Sequence, residues 1–327
     1  MEPKLFGTLP DNTDVYQYVL KNSEVEVRIL NFGGIITDFI YHGRNIVCGF
    51  ESLQDYLADD SYQGALIGRF ANRIAGAAFT LNGKTYHVGQ NEKGNSLHGG
   101  HRGFDKQIYE VKKATDDTLV LSRISPDGEE GYPGNLSLEA TYALSGASLS
   151  ISYTATTDAD TPVSITNHSY FNPAGIGNSV LDFKACILAD HYTDVDADLI
   201  PNGKRPHVAG TPYDLRSPRP IGDMEGGYDT NFVLRKDPNV TEPTLAATVT
   251  GGGLTLSVYT TQPCIQFYTA CVLTGEPAFR GGVKKAKFTA FCLETQEEPD
   301  APNRGNAILR AGDIYRHTTV YKIGKEA

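Results

Sequence analysis

Two segments of this 327-residue chain carry side chains able to move protons. In 162–172 (PVSITNHSYFN), a period of two places Ser164, Thr166, His168, Tyr170 and Asn172 on one face. Val163, Ile165 and Phe171 point to the other. A histidine in a row of hydroxyl and amide groups suits a sugar or another polyol, and it can give or take a proton near neutrality. An exposed sheet face with an incidental histidine is the plainer alternative. In 284–296 (KKAKFTAFCLETQ), Ala286, Phe288, Ala290, Cys292 and Glu294 share a face opposite Phe291 and Leu293. Both faces are apolar, so this strand belongs in the interior. Burying a lone carboxylate is costly, and desolvation raises its pKa towards the range useful to a general base. A structural salt bridge to an arginine is the competing reading.

Two weaker signals accompany them. In 68–104, Arg69, Asn72 and Arg73 precede a hairpin signal and His98 follows it, flanked by Gly99, Gly100 and Gly103. Such glycines let a ligand approach the backbone closely, or they only shape turns. In 226–232 (GGYDTNF), Asp229 lies beside a glycine turn, a common place for Asp. The histidines show no H-E-x-x-H or Cys/His ligand spacing, and the chain has no Walker loop or dinucleotide fingerprint, so no metal and no cofactor is expected. A candidate base (Glu294), a candidate acid (His168) and a cation (Arg73), drawn from distant segments, form the convergent polar set of a small-molecule site.

Strands must position these groups. Leu136, Leu138, Ala140, Tyr142 and Leu144 alternate with Ser137, Glu139 and Thr141, and 149–155 (LSISYTA) and 254–260 (LTLSVYT) alternate likewise. Turn signals separate the runs: Asn82-Gly83, Asp127-Gly128, Ser145-Gly146 and Gly251-Gly252-Gly253. Asn82-Gly83 between extended segments predicts a type I′ hairpin. Helical periodicity is scarce; the best case is 52–57, with Ser52 as cap and Asp55 at the third position. With 34 Gly and 17 Pro, long helices are disfavoured. The expected fold class is all-β: one large antiparallel domain over 1–327, a sandwich or related closed sheet system, with two fused β-domains as the alternative.

Composition bounds the partners. Lys and Arg number 29 against 39 Asp and Glu, a net charge of −10, which argues against nucleic acid and against an anionic membrane surface. No apolar run approaches the roughly 18 residues of a membrane span. The first residues show neither a basic nor an apolar signal region, and the five scattered cysteines (Cys48, Cys186, Cys264, Cys271, Cys292) suit reduced core thiols, so a cytoplasmic protein is expected.

The motifs NRIAG (72–76), NSLHGGHRGFDK (95–106), SPDGEEGYPG (125–134), TNHSYFN (166–172), GYDTNF (227–232), TTQPCIQFYTA (260–270) and FCLETQ (291–296) together resemble the aldose 1-epimerase (galactose mutarotase) family, in one order along nearly the whole chain. The resemblance implies a single β-supersandwich with few short helices and a cofactor-free interconversion of the α and β anomers of aldoses such as galactose and glucose. It implies Glu294 as general base and His168 as general acid. Asn72, Arg73, His98, Asp229 and Gln266 would bind substrate, with Ser169 and Tyr170 beside His168. A free aldose would be the partner of a monomer or homodimer. Asp229 and Glu294 are expected to hold His168 protonated near neutrality. The chain departs from the family pattern at Pro173 and in the acidic stretch Glu297-Glu298-Pro299-Asp300. A hexose 6-phosphate epimerase, a glycoside hydrolase using Asp229 and Glu294, and a non-catalytic sugar-binding protein are the rival readings.

Overall fold

Alternating apolar residues dictate the main sheet. The computed structural model describes residues 2–237 and 239–326. Its largest sheet has nine strands, in the order Glu110–Ala114, Thr118–Ser125, Leu136–Ser145, Ser148–Thr157, Tyr315–Lys325, Leu254–Thr260, Thr244–Gly251, Lys184–Ile187 and Arg219–Pro220. Every neighbouring pair is antiparallel. All three runs read from the sequence lie in it, and Leu136, Leu138, Ala140 and Tyr142 are fully buried. Each large apolar side chain buried this way contributes about 1.5–3 kcal/mol.

Two smaller sheets complete the frame. Five strands run in sequence order from Lys4–Thr8 to Arg44–Asn45. Four more pair as Ala189–Tyr192, Asp229–Leu234, Cys264–Tyr268 and Cys292–Gln296. The inner face of this four-stranded sheet carries Phe232, Ile265, Phe267 and Leu293 into the core. The Tyr321 hydroxyl donates to the Leu293 carbonyl at 3.2 Å, coupling it to the nine-stranded sheet. Phe171 packs on Tyr321 and Phe291, with ring centroids 5.1 and 6.1 Å away.

Local chemistry behaves as expected at the turns. Strands Ala78–Leu81 and Lys84–His87 flank Asn82 and Gly83, both at positive φ (52° and 76°) as a type I′ turn requires. The single α-helix among the described residues, Leu53–Ala58, has a complete capping box: the Ser52 hydroxyl accepts from the Asp55 amide, and the Asp55 carboxylate accepts from the Ser52 amide.

Two expectations fail. Segment 162–172 is not one strand with a polar outer face; only Thr161–Pro162 and Thr166–Asn167 pair as strands, and Ser164, Ile165, Thr166, His168 and Phe171 are all buried. It threads between sheets, so its backbone amides bond in turn to the carbonyls of Arg69, Ala65, Phe291 and Ile46. Likewise only Cys292–Gln296 of 284–296 is strand, since Phe288 takes φ 60° and the Thr289 hydroxyl closes a turn onto the Ala286 carbonyl.

Gly99 adjoins one of the candidate site residues at φ +92°, and a Cβ there would stand 1.9 Å from the Gly68 carbonyl oxygen. Gly99→Ala is therefore expected to cost about 1–3 kcal/mol from the backbone strain alone, read as a lower midpoint in urea unfolding. An unchanged midpoint would contradict this loop geometry.

Candidate active site

Cross-strand register builds the floor of the site. In the four-stranded sheet Asn231 stands opposite Gln266, and Gln266 opposite Glu294; one step along, Asp229 faces Tyr268 and Tyr268 faces Cys292. A period of two puts all of these on one face, with the apolar row on the other. Alternation along the sequence places Cys292 with Glu294 in this way, and alternation in 264–268 (CIQFY) places Gln266 with Cys264 and Tyr268 likewise. Glu294 is 2 % exposed, and its Oε2 and the Gln266 Oε1 find no protein partner. The Gln266 amide donates to Asp229 Oδ1 at 2.7 Å.

The facing wall comes from the threading connection. His168 is fixed through its own amide to the Ala65 carbonyl and through its carbonyl to the Gly64 amide. Three residues on, Phe171 and Phe291 exchange backbone hydrogen bonds, locking this stretch to the chain entering the Glu294 strand. His168 Nε2 thus lies 3.6 Å from Glu294 Oε1. Tyr170 and Tyr62 stack with the imidazole at 5.1 and 6.0 Å, and His98 meets it edge-on at 5.3 Å. The Cys292 sulfur lies 3.6 Å from His168 Nδ1.

These groups line a cavity of about 380 Å³ with Asn72, Arg73, Glu92, His98, Asp229, Gln266 and Lys285, within the usual range for small-molecule sites. Asn72 (φ 66°) and His98 (φ 53°) are tied together, the Asn72 amide donating to His98 Nδ1 at 3.1 Å and the His98 amide to the Asn72 carbonyl. Arg73 donates through Nε and Nη2 to the two Glu92 carboxylate oxygens at 2.7 and 2.8 Å.

Of the sequence-predicted residues, His168, Glu294, Asn72, Arg73, His98, Tyr170, Asp229 and Gln266 meet here. Ser169 does not line the cavity: its hydroxyl is turned to the Asn167 side-chain oxygen at 2.6 Å. The acidic stretch does not line the cavity either: Glu298 is engaged by Thr193 and Arg205, while the Asp300 amide donates to the Arg73 carbonyl from behind the site. Sequence reasoning missed Glu92, Tyr62 and Lys285. Nothing in a turn such as Asn91-Glu92-Lys93-Gly94 separates a functional glutamate from a solvated one.

Burial controls the protonation. It pushes the Glu294 carboxyl well above its ordinary range, helped by Asp229 and opposed by Arg73. It lowers His168 from 6.5 to about 4 against weaker upward pulls from its own backbone and Asp59. Carboxylates therefore do not hold His168 protonated, contrary to the sequence expectation: desolvation of the imidazolium outweighs their attraction. Across the 3.6 Å contact burial thus disfavours both charged forms, raising the carboxyl and lowering the imidazole. Asp229 is raised by burial too, and His98 is pushed well below its usual value.

Donor atoms of His98, His168 and Glu294 lie within 4.8 Å of one another, a spacing that could hold a metal ion. His98 does not suit that role. Its Nδ1 lone pair is taken by the Asn72 amide, which puts the ring proton on Nε2 and makes that nitrogen a donor, fitted to a ligand oxygen. A second cavity of about 400 Å³ lies across Tyr62, walled by Leu9, Phe32, Ile35, Tyr56 and Leu57. Its lining also carries Asp11, Asp59, Asp105, Arg102 and Lys106, but no histidine faces a carboxyl there.

The aldose 1-epimerase family model matches residues 16–322. Galactose mutarotase from Rattus norvegicus is 42% identical over 97% of both chains, and aldose 1-epimerase from Escherichia coli is 35% identical over 85% of both. The crystal structure of a galactose 1-epimerase from Lactobacillus acidophilus superposes with a TM-score of 0.87 at 24% identity, covering 100% of this chain and 99% of that one.

The protonation state is measurable. In an NMR titration His168 should stay neutral through pH 6.5 and take its proton only near about 4. The unfolded imidazole titrates near 6.5, so between these values the unfolded state binds more protons. His168 therefore costs no stability above 6.5 and destabilises the fold progressively as pH falls towards about 4. A folded-state midpoint near 6.5 would contradict the desolvation argument.

Proposed function

The chain belongs to the aldose 1-epimerase family, and from that premise we propose how its cavity exchanges the α and β anomers of free aldoses. The activity is that of an isomerase acting on carbohydrates. One observation carries the assignment of roles: a buried carboxyl and a buried imidazole face each other 3.6 Å apart at the cavity wall.

Anomer exchange needs one proton to leave the C1 hydroxyl and another to reach the ring oxygen. These two oxygens are bonded to the same carbon, so an acid and a base one hydrogen-bond width apart can serve both. In the ring-opening microstate Glu294 is the carboxylate and His168 the imidazolium. Glu294 takes the O1 proton, the C1–O1 bond becomes a carbonyl, the C1–O5 bond breaks, and O5 takes the His168 proton. The pair is now neutral imidazole and carboxylic acid. Rotation about C1–C2 presents the other carbonyl face, and closure returns both protons by the reverse transfers. The pair begins and ends with one proton, so no exchange with water is required.

The remaining groups hold the sugar. His98 donates from Nε2, Asn72 and Gln266 offer amide groups, Asp229 accepts hydroxyls, and Tyr62 and Tyr170 flank the imidazole. Arg73, its charge balanced by Glu92, offers its remaining N–H donors to the oxygens that gain electron density. In this reading residues 1–327 act as one cytoplasmic domain, monomeric or dimeric. Among the described residues no helix is long and apolar enough to cross a membrane.

The rivals fit less well. A phosphosugar epimerase needs a free cation, whereas Arg73 is engaged by Glu92. A binding module gains nothing from burying an unpartnered carboxyl beside a histidine.

Polarimetry of freshly dissolved α-galactose tests the reading. Glu294→Gln and His168→Asn are each expected to lower turnover by roughly 10²–10⁴-fold while leaving sugar binding largely intact. Near-normal turnover in either variant would reject that residue's role.

A further inference from the structure

The carboxylate of Glu92 is built into the site. It lies on a two-residue turn whose central residues, Lys93 and Gly94, both take positive φ (43° and 90°), with Glu92 and Asn95 exchanging backbone hydrogen bonds. The neighbouring Asn91 amide donates to the Leu97 and Gly100 carbonyls, and its oxygen accepts from the Leu97 amide. The turn is therefore fixed against the loop carrying His98. From it Glu92 meets Arg73 with both oxygens, in the planar two-bond geometry that best fits guanidinium to carboxylate. Nη1 and the second N–H of Nη2 of Arg73 are left for a ligand.

The charge inventory of the cavity gives this pair a consequence. The lining has two cations, Arg73 and Lys285. Lys285 is also engaged, its Nζ 2.6 Å from Asp59 Oδ1 with both side chains almost wholly buried. Against them the lining carries the carboxylates of Asp60 and Glu92, with the carboxyl groups of Asp229 and Glu294 beside them. Both cations are neutralised in place, so an arriving anionic group finds no uncommitted positive partner and must shed its water before acidic neighbours.

We propose that Glu92 is a specificity-determining residue: by engaging Arg73 through both carboxylate oxygens, it confines the cavity to uncharged aldoses and rejects aldoses bearing a carboxylate or a phosphate. The inference rests on the reading of this cavity as the aldose site. It names a substrate class that the acid–base pair alone does not set, since His168 and Glu294 act only on O1 and O5, which charged and neutral aldoses share.

The test uses the full chain and three sugars: galactose, galacturonate and galactose 6-phosphate. Turnover is followed by polarimetry and binding by calorimetry. Wild type should turn over and bind galactose while binding both anions at least about tenfold more weakly, a gap of about 1.4 kcal/mol. Glu92→Gln removes the charge at nearly constant shape. It should raise KM for galactose more than it lowers kcat, and tighten galacturonate or galactose 6-phosphate by about tenfold or more. Glu92→Asp keeps the charge but shortens the reach, so it should weaken galactose yet still reject both anions. A purely structural role for Glu92 would weaken all three sugars alike in both variants. The proposal is overturned if wild type binds either anion as well as galactose, or if Glu92→Gln leaves the ratio of anion to galactose affinity unchanged. Gain of one anion and not the other identifies which charged group Arg73 can reach. A wild type that binds galactose without turning it over would overturn the proposed function, while the binding ratios would still decide the role of Glu92.

Discussion

Burying a carboxyl group beside an imidazole, with no cation bonded to either, leaves one inexpensive arrangement: a single proton and no net charge. The rest of this structure serves that constraint. Separating the charges here would cost several kcal/mol per ion in desolvation, so burial favours the neutral forms of His168 and Glu294. Tyr170, Tyr62 and His98 pack around the imidazole and keep bulk water from restoring its charge. Cys292, whose thiol is held protonated by the same burial, stands against Nδ1 as a weak partner and does little to raise the basicity of the ring.

In the proposed reaction the neutral pair is also the state reached when the sugar ring has opened. The environment that makes an ion pair expensive therefore favours the open-chain stage over the closed-ring microstate with carboxylate and imidazolium. Sugar hydroxyls and the Arg73 charge must supply what that charged microstate lacks, so it becomes populated only with substrate in place. The unpartnered Glu294 Oε2 and Gln266 Oε1 fit this scheme, because each is an acceptor whose desolvation is offset only when a ligand donor arrives.

How much of this was legible in the sequence depends on the kind of interaction. Period-two patterning located Leu136–Ser145, Ser148–Thr157 and Leu254–Thr260, because each buries one face against a single core. The same rule put Cys292 with Glu294 and Gln266 with Tyr268, since the floor of the site is a regular sheet. It failed for 162–172, where the chain passes between sheets and both sides are buried, so alternation no longer marks inside from outside. Patterning and motif resemblance both pointed to His168 and Glu294, and burial of the Glu294 strand already implied a raised carboxyl pKa, but the protonation of His168 was misjudged. Charges close in space suggest attraction, and only the depth of burial, which a linear pattern does not encode, shows that desolvation wins. Ser169 was drawn in by adjacency to His168, although neighbours on an extended chain point opposite ways. Glu92 and Lys285 escaped because their meaning lies in partners at Arg73 and Asp59, distant along the chain.

The placement of formal charge follows from the same physics. Full ion pairs occur in the walls, where they fix loops: Lys285 with Asp59 beneath the Tyr62 segment, and Arg73 with Glu92 beside the His98 loop. The Asp59 oxygens also accept from the Ser61 hydroxyl and the Gln63 amide, so one carboxylate sets the backbone on both sides of Tyr62. Removing Lys285 would leave a buried carboxylate unpaired and loosen the aromatic cover over His168, shifting the imidazole towards its solvated pKa. A charge pair in the cavity wall can thus govern the proton affinity of the imidazole, through the Asp59 charge and by deciding how much water reaches the ring.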